Sequence, residues 1–226
     1  MSEMAMVEKN QQVRKQLQET GKYMMQYELA WGNSGNISAR TKENTFLITA
    51  SGTYLGDLDI EDFAECSIEI KENSYIGKKP SKEVPMHQAI YETRPEIGAV
   101  LHASPIYSTL IASSNVEIPS DWFVESMYYL ERIERVPYAH PGSTELGELV
   151  REKAAKTNIL LLENHGVLVY DTTLKEAKMA LQTLEMACRM LLISKNAGVD
   201  VQAISKSVVD SFLHESGYKP RRMWEQ

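Results

Sequence analysis

Ala99-Val100-Leu101-His102-Ala103-Ser104-Pro105 is the stretch on which the reading of this fold turns. Ile97 to His102 has the length and apolar character of a buried strand, and Ser104-Pro105 turns the chain into a helix over Pro105 to Ser113. A histidine at the end of such a strand stands where α/β proteins hold metal ligands. Two histidines at i and i+2 would face one ion from the same side. Here His102 is present and position 104 is a serine.

The pattern on either side of this strand alternates helices and short strands. Residues 7 to 30 predict a helix, with Val13, Leu17, Tyr23, Met24 and Tyr27 along one face. Gly32-Asn33-Ser34-Gly35-Asn36 breaks it into a tight loop. Strands are expected over Ile37 to Arg40, Thr45 to Ala50 and Glu65 to Lys71, and a helix over Pro85 to Thr93. A second strand pair is expected at Ile159–Leu162 and Val167–Tyr170. Thr173-Leu174-Lys175-Glu176 has the form of a capping box, and Ala177, Ala180, Leu181, Leu184, Ala187, Cys188 and Leu191 follow at helical spacing. Short strands with covering helices predict a layered α/β or α+β domain rather than a bundle or barrel.

A chain of 226 residues can bury a substantial core as one domain, expected to span 1–226. Its core is expected over about 7–192, with a helical segment over about 200–226. The net charge of -7 and the lack of a basic stripe argue against a nucleic-acid partner. An acidic chain can still hold an anion where backbone amides and hydroxyls converge. Cys66 and Cys188 fit no zinc or redox spacing and read as free thiols in a reducing compartment. The polar N-terminus has no signal-peptide core, and no apolar run is long enough to cross a bilayer. A cytoplasmic location and no membrane partner are expected.

Four clusters carry candidate chemistry, and each has a plain structural reading beside it. Gly32 to Ser38 can cradle an anion with exposed amides, or be an ordinary helix-to-strand loop. Ser51-Gly52, just past a strand end, can bind a phosphate oxygen or form a simple turn. In Pro80-Ser81-Lys82-Glu83-Val84-Pro85-Met86-His87, Ser81 and Lys82 can hold a phosphate while Glu83 serves as metal ligand or base. Glu83 can equally complement a helix N-terminus, and His87 can be a supporting donor or a surface histidine. His102 and His165 each end an apolar strand; together with Glu83 they make a His₂Glu set of the kind that holds catalytic zinc with one open position.

In order and spacing these clusters resemble the class II aldolase/adducin family, from about Val7 to Leu192. The Gly-Thr-x-Gly-Asn-x-Ser loop of that family corresponds to Gly32-Asn33-Ser34-Gly35-Asn36-Ile37-Ser38, with Asn33 for threonine. Its Ser-Gly loop is Ser51-Gly52, its Pro-Ser-Ser-Glu segment is Pro80-Ser81-Lys82-Glu83, and its Asn-His-Gly is Asn164-His165-Gly166. The resemblance implies a single-domain three-layer α/β/α sandwich that assembles as a homotetramer with sites between subunits. It implies a divalent metal, usually zinc, held by three histidines from a His-x-His and the Asn-His-Gly motif, with the family's glutamate, here Glu83, binding the resting metal or acting as base; the ligands expected here are Glu83, His102 and His165. It also implies a phosphorylated sugar bound through Asn36, Ser51, Gly52, Ser81 and Lys82, with Glu83 moving the proton. The activity expected is a lyase that cleaves a small phosphorylated ketose through a metal-stabilised enediolate. An epimerase, dehydratase or decarboxylase on the same fold is the first alternative, and a non-catalytic, adducin-like assembly domain the second.

Ser104 departs from that pattern, since it replaces the second histidine of His-x-His. Serine is a poor zinc ligand at neutral pH, but before Pro105 it makes a good N-cap. With Ser104, either Glu83, His102 and His165 still hold a metal and Glu83 is no longer a free base, or the metal is lost. The interface tyrosine of the family falls near Tyr128 and Tyr129.

Overall fold

Ala99–Ala103 (β5) lies inside an eight-stranded sheet in the computed structural model, which describes residues 3–69 and 74–224. The other strands are β1 (Asn36–Lys42), β2 (Thr45–Thr49), β3 (Phe63–Ser67), β4 (Tyr75–Gly77), β6 (Glu134–Val136), β7 (Ile159–Leu162) and β8 (Gly166–Asp171). Their order is β4-β3-β2-β1-β5-β8-β7-β6, antiparallel throughout except for the parallel β6–β7 pair.

Side chains alternate across this sheet with the two-residue period of a strand. Ile37, Ala39, Ala99, Leu101, Ala103, Ile159, Leu161, Val167 and Val169 point into one core. Over that face lie α1 (Glu3–Gln26), α3 (Ile106–Ala112), α4 (Val124–Tyr129) and α6 (Leu174–Ala197). Ile48, Val100, Leu160, Leu162, Leu168 and Tyr170 point into a second core, under α2 (Val84–Thr93) and α5 (Thr144–Ala154). These are the three layers, α/β/α. The same alternation puts His102 on the α2 face with Val100, at the end of its strand.

The strands pair so that chemistry gathers at one end of the sheet. Asn36 opens β1 directly opposite His102, and Ala103 pairs with Val167 of β8. The β7–β8 connection is only Glu163-Asn164-His165, which sets His165 beside the end of β5. Asn164 adopts a left-handed φ of 53° to make this turn, a conformation that asparagine tolerates.

Several elements differ from the sequence-based expectation. The first helix spans Glu3–Gln26 and stops before residue 30. The third expected strand, Glu65 to Lys71, forms over Phe63–Ser67, and residues 70 and 71 lie outside the described residues. The C-terminal segment is not helical throughout. Only Lys206–Glu215 (α7) is, and the chain beyond it packs back through Arg222, which pairs with Asp171 and stacks on Tyr128. Thr173 does accept from the Glu176 amide, yet the Glu176 carboxylate goes to Tyr129 and Lys219, so only half of the expected capping box forms. Cys66 and Cys188 are free and buried, and burial raises both thiols, Cys66 to about 12. No helix among the described residues is long and apolar enough to cross a membrane.

Candidate active site

Glu83 stands at the N-cap of α2, but its carboxylate makes no cap hydrogen bond. It turns instead into the sheet end, where Asn36 Nδ2 donates to Oε2 at 2.6 Å. His102 Nε2 lies 3.4 Å from Oε2, and His165 Nε2 lies 3.2 Å from Oε1. The two imidazoles meet edge to face with centroids 4.7 Å apart. One ligand atom from each of Glu83, His102 and His165 falls within 4.8 Å of the others. Among the described residues this is the group that could hold a metal.

The donor chemistry of these three residues fits a divalent cation. His102 Nδ1 is 3.1 Å from the Val167 carbonyl, which can only accept, so Nδ1 carries the proton. The Nε2 lone pair is thereby turned toward Glu83, and this supporting bond fixes the ring as metal-binding histidines require. Glu83 Oε1 is buried without a hydrogen-bond partner, the condition of an oxygen kept for a cation. Burial alone would raise the Glu83 carboxyl. The adjoining His165 and His102 imidazoles and the Asn36 amide more than offset this and hold it down to about 2. Burial lowers His102, against the opposing pull of the Glu83 carboxylate.

A second set of buried groups stands behind Glu83. His87 is fully buried rather than a surface histidine, with Nε2 2.6 Å from Asn36 Oδ1 and Nδ1 2.7 Å from Ser38 Oγ. Ser38 Oγ is also 2.9 Å from the Tyr91 hydroxyl. Burial, reinforced by His102 and opposed by Glu83, pushes His87 down to about 3. The spacing could have disclosed this set. Glu83, His87 and Tyr91 recur every four residues on one helical face, while Asn36 and Ser38 share one face of a strand.

In front of Glu83 lies a cavity of about 540 Å³. Asn36, Ser51, Gly52, Ser81, Lys82, Glu83, His102 and His165 line it, whereas His87, also a candidate from the sequence, does not. Sequence reasoning passed over Trp31, Thr53 and Pro141, which also line the cavity. The Ser51-Gly52 loop is pinned beside Ser81, since the Ser51 amide donates to Lys79 O and the Ser81 amide to Thr49 O. Gly52 takes a φ of 80°, which lets its backbone face the cavity without a Cβ in the way. Gly142 packs against the backbone of Lys82, where a Cβ would come within 2.7 Å of the carbonyl oxygen.

One expectation is corrected at this end. Ser104 is not the N-cap of α3; Pro105 is, and no side chain caps it. Instead the Glu185 carboxylate accepts from the Tyr107 and Ser108 amides at 3.0 and 2.8 Å. Ser104 lines the cavity, and its hydroxyl makes only a long 3.5 Å contact to the His165 carbonyl. Tyr128 and Tyr129 are buried away from the cavity, their hydroxyls taken by Pro220 O and Glu176.

Gly166 holds the histidine loop down on β5. Its φ is 148°, and a Cβ there would meet Ala103 O at 2.5 Å and Ser104 Oγ at 2.9 Å. Gly166→Ala is expected to cost about 3 kcal/mol through strain and backbone collision. A chemical-denaturation midpoint reads this directly; a midpoint equal to wild type would show that the loop yields.

Comparison with known proteins agrees with this geometry. The family model described as Class II Aldolase and Adducin N-terminal domain matches residues 15–192. The 3-oxo-tetronate 4-phosphate decarboxylase of Escherichia coli K12 is 32% identical over 199 residues, 85% of this chain and 91% of the relative. The L-fuculose phosphate aldolase of Methanococcus vannielii is 31% identical over 159 residues, 70% of this chain and 84% of the relative. Among solved structures, YgbL from Klebsiella pneumoniae superposes with a TM-score of 0.82 at 25% identity, covering 90% of this chain and 98% of that one.

Proposed function

The chain belongs to the class II aldolase and adducin family, and we propose that within it the protein is a carbon–carbon lyase that decarboxylates a small phosphorylated 3-oxo sugar acid. The observation that carries this reading is the position of Glu83, drawn between the imidazoles of His102 and His165 with one buried oxygen left for a cation. With Ser104 where a third imidazole would stand, Glu83 is needed as a ligand and is not a free base. Retro-aldol cleavage requires a base to take the proton from a substrate hydroxyl. Loss of carbon dioxide from a 3-oxo acid does not. The electron pair of the breaking bond moves into the 3-oxo group, and the adjoining carbon then takes a proton from solvent.

A divalent cation held by Glu83, His102 and His165, with zinc as the proposed metal, would supply the Lewis acidity that draws those electrons. The remaining work falls to the chain's own residues. Ser51, Gly52, Ser81 and Lys82 form the phosphate end of the cavity, and the Lys82 ammonium adds positive charge there. Asn36 holds Glu83 in place and faces the reacting end of the substrate. The relatives named as decarboxylases support the substrate class, a four-carbon 3-oxo acid phosphate.

Cleavage of a ketose phosphate is the second reading, favoured by the aldolases among the relatives. Zinc-loaded protein given 3-oxo-tetronate 4-phosphate and, separately, L-fuculose 1-phosphate separates the two. Carbon dioxide release at least about tenfold faster than aldehyde release is expected. Faster aldehyde release would overturn the decarboxylase reading.

A further inference from the structure

Behind the cavity, the buried groups of Tyr91, Ser38, His87, Asn36 and Glu83 form one continuous hydrogen-bonded line, and none of the first three touches the space where a substrate would lie. We infer that His87 is a positioning residue, which locks the Asn36 amide in one orientation and so decides which oxygen of Glu83 is presented to the cation. This rests on the reading of Glu83, His102 and His165 as the cation's donors.

The direction of every bond follows from the chemistry of the ends. A carboxylate can only accept, so the group of Asn36 that lies 2.6 Å from Glu83 must be its NH₂. The Asn36 carbonyl then faces His87, and because it too can only accept, the proton of His87 sits on Nε2. His87 Nδ1 is left with its lone pair, and Ser38 donates to it. The Ser38 oxygen in turn accepts from the Tyr91 hydroxyl. Burial pushes the Tyr91 hydroxyl well above its ordinary value, so it remains a donor, and the low value of His87 keeps that ring neutral. Reversing any one bond would set two acceptors or two donors against each other in a dry interior, which costs about 1–3 kcal/mol per unpaired group.

The consequence falls on Glu83. Its Oε2 is tied to Asn36, while Oε1 is buried with no hydrogen bond of its own and lies 3.2 Å from His165 Nε2. Were Asn36 free to rotate, its carbonyl would repel the carboxylate and Glu83 would swing away from His102 and His165. A core built only for stability could use apolar side chains at 38, 87 and 91. These three instead supply a matched polar line that ends on a candidate ligand.

His87→Leu removes both ring nitrogens, while His87→Gln can return a donor near the Nε2 position. Zinc affinity of the full chain, measured by competition with a chelator, is expected to weaken about 10–100-fold in His87→Leu and to recover to within about threefold in His87→Gln. With substrate, the loss should appear in kcat with KM nearly unchanged. Protection of the Asn36 side-chain amide from hydrogen exchange, read by NMR without metal, is expected in wild type and His87→Gln and lost in His87→Leu. Tyr91→Phe should weaken zinc more mildly, by less than about tenfold, because it cuts only the far end.

Wild-type zinc affinity in a folded His87→Leu would overturn the positioning role, and so would equal losses in Leu and Gln variants that both melt early. If wild type bound no zinc, the cation reading would fall instead, and the amide-protection result would still decide whether His87 locks Asn36: equal exchange in wild type and His87→Leu would overturn it.

Discussion

Glu83→Gln is expected to lower kcat/KM for the 3-oxo acid phosphate by at least about 10³-fold, a loss of about 4 kcal/mol of transition-state stabilisation. Glutamine keeps the volume and can still accept from Asn36 Nδ2 through its amide oxygen. The NH₂ then occupies the place of Oε1 and faces the cation space with a donor where an acceptor is needed. The charge is lost as well. A carboxyl held at about 2 is ionised at neutral pH, so mild acidification cannot imitate the variant. The same shift predicts a stability signature. Its folded value lies below the ordinary carboxylate value of about 4.3, so the ionised group stabilises the fold above that pH and the contribution fades as pH falls toward 2. Glu83→Gln should flatten that acid limb. Zinc content decides the role: depleted zinc, with activity partly returned by excess metal, marks Glu83 as a ligand. Full zinc with the rate still lost would mark it as the base and favour ketose cleavage.

The parts of this site that could be read in the sequence are those whose chemistry stands next to a strong local signal. His102 closes an apolar strand, His165 follows one, and Glu83 precedes a proline that can only open a helix. Ser51-Gly52 and Gly35-Asn36 announce turns through their glycines. What could not be read was any partnership across the sheet. His87 looked as much like a surface residue as a buried one until α2 packed its face onto β1 and met Ser38 and Asn36. Ser104 misled for the opposite reason. Its local sequence is that of a good N-cap, but a carboxylate 81 positions along the chain, Glu185, had already taken the α3 amides.

Short and irregular elements were also hidden. β4 and β6 have three residues each, too few to show alternation, and depend on neighbouring strands for their geometry. The sequence around α5 opens with Pro141-Gly142-Ser143 and carries Gly147 inside the helix, which reads as loop. The structure explains that glycine: a Cβ at 147 would come within 3.0 Å of Pro85 Cβ, so Gly147 is what lets α5 lie close against α2 and support the Glu83 turn.

Ser104→His tests how the family's chemistry divides between cleavage and decarboxylation. Position 104 follows His102 by two residues on the same side of the sheet end and lines the same cavity as Glu83 and His165. An imidazole there would add a third nitrogen donor, and zinc is expected to bind at least about tenfold more tightly, about 1.4 kcal/mol. The larger effect should fall on the reaction. Three imidazoles suffice with an open position, so Glu83 is released from the cation and becomes free to take a proton from a substrate hydroxyl. Aldehyde release from L-fuculose 1-phosphate should therefore rise relative to carbon dioxide release by about tenfold or more, with Asn36 and His87 still holding the carboxylate toward the cavity. The double variant Ser104→His with Glu83→Gln should keep its zinc and lose the gained cleavage, because the ligand has been replaced and the base has not. If zinc affinity in Ser104→His matched wild type, the residue at 104 would not face the ligand cluster, and its serine would not be what commits Glu83 to the metal.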